Sequence, residues 1–281
     1  METIEAVAID AALAGSVVQR ATARASLDAG TAGHRMSDAE IFKASNRLKE
    51  MRCPGATDAD GLAVPSGYMA AMHPDAYYDL LAGGNVVSIL QYQDKNILFS
   101  GEVGEIAGCR IIASPFAKVF GAAGADNGTV AAYTLSAASE ALDEELSIGT
   151  ATNVAIGRYL TIGTEETGST FYPTNERVTH VSGTTTSVIV GSGPNGGMRF
   201  PHDSGAGVRN ADSVYPVLFG GPNSLAKVYA TEIGEYGEIV GPKREGYVDQ
   251  FVSLGWKWYG AYAVINQNWL VRGEYSSSLD A

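Results

Sequence analysis

The stretch that decides how this chain folds is FVSLGWKWYGAYAVINQNWLVRGEY, residues 251–275. Trp256, Trp258, Tyr262 and Val264 fall at even spacings, which places them on one face of a β-strand. Asn266-Gln267-Asn268 is a polar turn signal. Beyond it Trp269, Val271 and Tyr275 repeat the even spacing. The stretch therefore reads as a C-terminal hairpin that gathers all three tryptophans of the chain. Small residues alternate with the large ones, as in a half-buried strand pair. Trp256, Trp258 and Trp269 are expected in a core or subunit interface; as exposed rings they would form a stacking platform for sugars or bases.

Upstream lie two nearly matching stretches, GEVGEIAG at 101–108 and GEYGEIVG at 234–241. Each sets two glutamates three apart between glycines. Carboxylate pairs hold metals when helices project them inward with a histidine, and they serve as acid and base in glycoside hydrolysis. Here glycine surrounds Glu102, Glu105, Glu235 and Glu238, and no histidine follows at the right offset. The expectation is two independent solvated glycine turns, with intersubunit salt bridging as the other reading. The first turn should join the apolar runs NILFS and CRIIASPFAKVF as a hairpin, its glycines supplying positive φ.

Other elements follow from local pattern. Residues 3–26 are alanine-rich with apolar positions at helical spacing, and predict one long helix. Ser37 and Glu40 have capping-box spacing ahead of Ile41, Ala44, Leu48 and Met51 on one helical face. GYMAAM reads as a strand and HPDAYYDLLAGG as a short helix opened by Pro74. VYPVLFGG reads as a strand and PNSLAKVYA as a short helix. Ahead of these two runs, residues 122–212 are rich in Thr, Ser and Gly, with strand-like runs GRYLTIG, ERVTHV and TTSVIVG between close turn signals. That composition predicts a small all-β sandwich or barrel inserted into the main domain.

Whole-chain properties narrow the function. The 281 residues include 34 glycines and carry a formal charge of −12, which disfavours tight binding to nucleic acid over the whole surface. The two cysteines, Cys53 and Cys109, have no metal-ligand spacing and read as ordinary thiols of a reducing compartment. No secretory signal or membrane-spanning run is legible. GSGPNG at 191–196 satisfies a dinucleotide-binding pattern, but no amphipathic helix follows it, so a hairpin loop is the better reading. TDADG at 57–61 is a fragment of a calcium loop without its closing glutamate. His202-Asp203-Ser204 are adjacent, whereas a catalytic triad converges in space. The chain offers no catalytic residues, no metal ligands and no cofactor site, and reads as a non-enzyme.

Taken together, YMAAMHPDAYYDLL, LFSGEVGEIAGCRIIAS and GWKWYGAYAVINQNWLVRGEY resemble, in order and spacing, the major capsid proteins of tailed bacteriophages, closest to the podovirus-type branch with the HK97-like fold. The resemblance covers roughly residues 1–120 and 212–281. It implies an α+β fold in which residues 1–121 hold the spine helix (within 3–26) and the first part of the peripheral and axial domains. Residues 213–281 would complete that core, and 122–212 would be an outward-projecting insertion. The family's first glycine-glutamate turn corresponds to Gly101, Glu102, Gly104 and Gly108. The family usually opens with an extended arm and a long hairpin ahead of the spine helix, and this chain begins too late to contain them. The implied function is a self-assembling coat: hexamers and pentamers of one chain enclosing DNA without binding it specifically. Scaffolding, portal or decoration proteins are the implied partners. The implied location is the virion, after assembly in the host cytoplasm, with no membrane partner. An encapsulin-like compartment shell and a glycan-binding adhesin or decoration module are the alternatives.

Overall fold

The computed structural model describes residues 2–15, 17–55, 67–83, 102–115, 117–121, 123–125, 133–140, 142–148, 154, 156, 159–162, 175–181, 187–190, 198, 201–230, 237–245 and 251–280. In chain order, helix α1 (Glu2–Leu13) leads to strand β1 (Val18–Arg20), helix α2 (Asp38–Glu50), β2 (Tyr68–Met72), α3 (Pro74–Ala82), β3 (Glu102–Ile106) and β4 (Cys109–Ala113). Six short strands follow: β5 (Tyr133–Thr134), β6 (Glu145–Ser147), β7 (Tyr159–Ile162), β8 (Asn175–Val181), β9 (Ser187–Val190) and β10 (Gly207–Arg209). The remainder is β11 (Tyr215–Gly220), β12 (Leu225–Tyr229), β13 (Glu238–Glu245), β14 (Phe251–Lys257), β15 (Gly260–Val264) and β16 (Leu270–Tyr275). The fold is mixed α and β.

The main sheet has the order β1-β16-β11-β2-β4-β3, with parallel pairs β1–β16 and β2–β4 and the other pairs antiparallel. One of its faces packs on α2 and α3. Ile41, Ala44 and Leu48 of α2, and Ala76 and Leu80 of α3, meet Ala70, Met72, Ile111, Val217, Phe219 and Val271 in the principal core. The helical spacing read from α2 is the spacing of its buried stripe as far as Leu48, whereas Met51, expected on the same face, lies just past the helix end and is exposed. Pro74 opens α3 as expected, and His73 Nδ1 accepts a hydrogen bond from the Asp75 amide at 3.2 Å.

The remaining strands between β4 and β11 make a second antiparallel sheet, β5-β10-β7-β8-β9-β6. A bridge from Leu135 to Ile148, with Ser136 N donating to Ser147 O at 2.9 Å, joins its two edges, so the sheet closes into a small barrel. Closure removes the unpaired edges that an open sheet would expose. Tyr133, Leu135, Leu146, Ile148, Leu160, Ile162, Met198 and Val208 fill the interior. Two antiparallel connections carry the chain in and out of it: Phe120 bridges Val214, and Gly124 N donates to Asp212 O at 2.8 Å. The segment around Leu27 clamps this stem. Ala125 N donates to Leu27 O at 2.7 Å, and Ala29 N donates to the buried Asp212 Oδ2 at 2.8 Å.

Four expectations are corrected. The helix expected over 3–26 ends at Leu13, because Val18–Arg20 leaves it to pair in parallel with β16. The capping box does not form: Ser37 makes no side-chain cap, and the Glu40 carboxylate instead meets Gln19 Nε2 at 2.9 Å and Lys43 Nζ at 2.5 Å. PNSLAKVYA is not a helix. It is a turn, with Asn223 at φ 62°, followed by strand β12.

The expected C-terminal hairpin is also reorganised. β15 and β16 do not pair with each other; β15 pairs with β12 and β16 with β11. Strands β11, β12 and β13 form an outgoing limb, and β14, β15 and β16 the returning one. Their registers nest from Tyr215↔Tyr275 through Leu225↔Val264 to Glu245↔Phe251. The result is one long hairpin rooted in the main sheet. Asn266-Gln267-Asn268 is a corner in the returning limb, matched by Pro222-Asn223-Ser224 on the outgoing one. Asn266 Oδ1 accepts from the Asn268 amide at 3.0 Å, and Ile265 N reaches across to Ser224 O at 2.9 Å.

Candidate functional site

The part of this hairpin beyond the main sheet is a two-stranded arm, and its sequence dictates two unlike faces. In the β13–β14 pair Ile239 lies opposite Trp256 and Glu238 opposite Lys257. Alternation along β14 then puts Val252 and Leu254 on the Trp256 face, and Ser253 and Lys257 on the other. Ile239 is 67% exposed, Val252 62%, Leu254 67% and Trp256 49%. The opposite face carries the Glu238–Lys257 ion pair at 3.0 Å, with Val240 beside Gly255. Gly237 has φ 87°, and a Cβ there would stand 2.6 Å from Trp256 Nε1, so the indole ring requires glycine at that point.

The residues singled out from sequence scatter over the fold. Glu102, Gly104 and Glu105 lie within strand β3 rather than in a turn. The reversal is made one step later by Ala107 and Gly108, at φ 55° and 78°, the pair of positive values that a two-residue hairpin turn needs. Glu238 opens strand β13. Gly101 and Glu235 lie outside the described residues, as do GSGPNG at 191–196 and TDADG at 57–61. The tryptophans separate: Trp256 sits on the arm, Trp258 stacks on Tyr262 with centroids 6.4 Å apart, and Trp269 at the corner donates to Met51 O at 3.2 Å. Cys53 and Cys109 are both buried and form no disulfide, and burial pushes the Cys53 thiol up. Among the described residues, no three His, Cys, Asp or Glu side chains gather where a metal would sit, and no helix is long and apolar enough to cross a membrane.

Sequence reading missed a buried ionic cluster. Glu274 on β16 is fully buried, and Arg24 grips it with Nε at 3.0 Å and Nη2 at 2.5 Å. Arg272 Nε lies 3.0 Å from the same carboxylate and Arg20 Nη1 3.6 Å away. Burial alone would raise the Glu274 pKa. The hydrogen bonds and charge of Arg24, with Arg272 and Arg20, more than offset that and hold it below the usual carboxylate value. Arg272 also donates to the Leu13 carbonyl, so a cation closes the C-terminal end of α1. Beside this cluster Gln19 Nε2 bridges Glu40 and the Tyr275 hydroxyl at 3.1 Å, and burial followed by the Glu40 charge drives that phenol strongly upward. These groups tie the N-terminal segment to the main sheet. Arg20 and Arg24 sat unremarked in the stretch read as helix, where nothing local announces a partner 250 residues away.

The chain thus combines a buried ionic cluster that ties its N-terminal segment to the main sheet with an arm whose large apolar side chains are exposed. The sequence model of the phage capsid protein family matches residues 13–215, well over half of the chain. The chain belongs to the phage capsid protein family. The match includes α2, α3, the barrel and most of the main sheet, and it stops at the first residue of β11, ahead of the arm. No curated protein sequence matches the chain. Membership in a capsid family makes this a structural, virion-associated chain that assembles with copies of itself into a shell.

Proposed function

We propose that this chain is the major coat protein of a phage head and builds an icosahedral shell of hexamers and pentamers around packaged DNA. The observation that carries the reading is an outward apolar face on the arm of a capsid-family chain: such a surface is covered in a working protein, and a shell supplies copies to cover it. The HK97-like architecture and the podovirus-type branch belong to this reading, supported by the order of the three quoted motifs and by a mixed sheet backed by helices. A spine helix over 3–26 is not retained, since α1 ends at Leu13. The barrel is read as an inserted surface domain, supported by its separate core and two-stranded stem. A net charge of −12 suits a wall that confines DNA without holding it. Assembly in the host cytoplasm and encounters with scaffolding, portal or decoration proteins complete the proposal. Negative-stain electron microscopy of the purified protein, over a range of concentration and salt, tests it. Closed shells or regular capsomer rings are expected; monomers under every condition overturn it.

A further inference from the structure

We infer that the strap at residues 24–34 latches the barrel to the main sheet through buried carboxylates, and that protonating them frees the barrel to swing on its stem while both bodies stay folded. The inference concerns a single copy and stands apart from the coat-protein reading. The barrel and the main sheet have separate cores, and a third, small one of Leu13, Leu27, Phe120 and Val214 fills the junction. Two bodies that share so little apolar surface move against each other unless something fastens them.

The fastening is polar. Arg24 lays its guanidinium over the Phe120 ring of the stem, 4.5 Å from the centroid, while its nitrogens grip Glu274 of β16. Asp212 of the stem accepts from the Ala29 amide at 2.8 Å, and Asp280 accepts from the Ser213 amide and the Tyr215 hydroxyl, each at 3.1 Å. The strap is anchored in turn beside the end of β16: Ser276 Oγ donates to Asp28 O and Ser276 N to His34 O, both at 2.9 Å. Lys118 Nζ, ahead of the stem, pairs with Asp10 of α1 at 2.5 Å. Five carboxylates are buried among the described residues: Asp212, Glu274 and Asp280 lie on this latch, and Glu40 and Asp79 lie elsewhere in the main body. None lies in the barrel, whose interior is apolar. Acid therefore weakens the fastening without touching what holds the barrel together.

The charges around the latch set the sign. Burial works against the Glu274 anion, but Arg24, with Arg272 and Arg20, outweighs it. Asp28 shapes the turn of the strap and faces Asp212 and His34, whose Nδ1 accepts from the Asp28 amide at 3.1 Å. The Gly30 amide, then the Thr31 hydroxyl, hold the Asp28 carboxyl below its ordinary value. For both groups the hold is complete above the ordinary carboxylate range and is lost as pH falls through the lowered values.

The test is single-molecule fluorescence transfer, which keeps copies apart, in the full chain labelled at E144C on the barrel and Y78C on α3. Both positions are exposed, and the native thiols are buried. As pH falls below about 4, the ordinary carboxylate range, the transfer distribution is expected to shift and broaden before far-UV circular dichroism and tryptophan emission change. The double variant D212N/E274Q neutralises two catches and keeps their shape. It is expected to show that acid distribution already at pH 7, with wild-type circular dichroism. A distribution that changes only together with circular dichroism overturns the latch, because release is then unfolding. A folded double variant with the wild-type distribution at pH 7 overturns it as well. If the double variant does not fold, the wild-type titration decides alone.

Discussion

Glu274 holds the N-terminal segment to the sheet, and its loss should be felt as lost stability. In E274Q the shape is kept but Arg24 and the buried Arg272 lose their shared counter-charge. Breaking a buried ionic cluster from one side costs about 3–5 kcal/mol, which urea unfolding at pH 7 will read. The pH dependence has a definite sign. The folded carboxylate titrates below its unfolded value, so its contribution is complete above the ordinary carboxylate range and is lost as pH falls through the depressed value. Wild-type stability should fall more steeply than that of E274Q as the medium is acidified below about pH 4.3, the unperturbed glutamate value. Gly124 offers a steric counterpart. A Cβ there would stand 2.6 Å from Leu27 O and 2.7 Å from Asp212 O, and both are backbone atoms that cannot swing aside. G124A should lose roughly 1–3 kcal/mol, the usual cost of overpacking, seen as a lower calorimetric midpoint.

At the scale of elements, the barrel and the arm behave differently. The barrel has a closed sheet and its own interior, and its stem pairs residues on either side of it. Residues 119–214 expressed alone should therefore unfold in one cooperative transition, followed by far-UV circular dichroism. L160A, which empties part of a fully buried site, should lower its stability by about 2–5 kcal/mol. Elements whose identity rests on their own residues were legible in the sequence. The stripe Ile41-Ala44-Leu48, Pro74 at the head of α3 and the runs of β2, β7, β8, β9 and β11 needed no distant partner to be read. Elements decided across the chain were not. The segment 18–26 has helical spacing, but Glu274 draws its arginines into a strand and a single 3-10 turn. Asn266-Gln267-Asn268 carries the chemistry of a reversal and of a corner alike, and Pro222-Asn223-Ser224, some 45 residues earlier, decides for the corner. The glycine-glutamate stretches misled for a related reason. Their glycines permit turns, yet in the first the reversal falls on Ala107 and Gly108 while Glu102 and Glu105 stay in strand β3, and in the second Glu238 opens β13.

For the whole molecule, charge and assembly act together. Twelve excess negative charges should keep duplex DNA from shifting in a gel at roughly 150 mM salt, and retention there would point to a local basic surface. The long hairpin has a further bearing on how the protein is made. β16 lies between β1 and β11, one strand in from the edge of the main sheet, yet the ribosome delivers it only after the entire arm. Until it arrives, β1 has no neighbour, Arg20 and Arg24 have no carboxylate, and the principal core lacks Val271 and Tyr275. The arm is therefore exposed early while the body that bears it closes last. A nascent chain stalled before residue 270 carries the exposed apolar arm without a finished platform behind it. Synthesis itself thus sets the order in which copies become competent to meet.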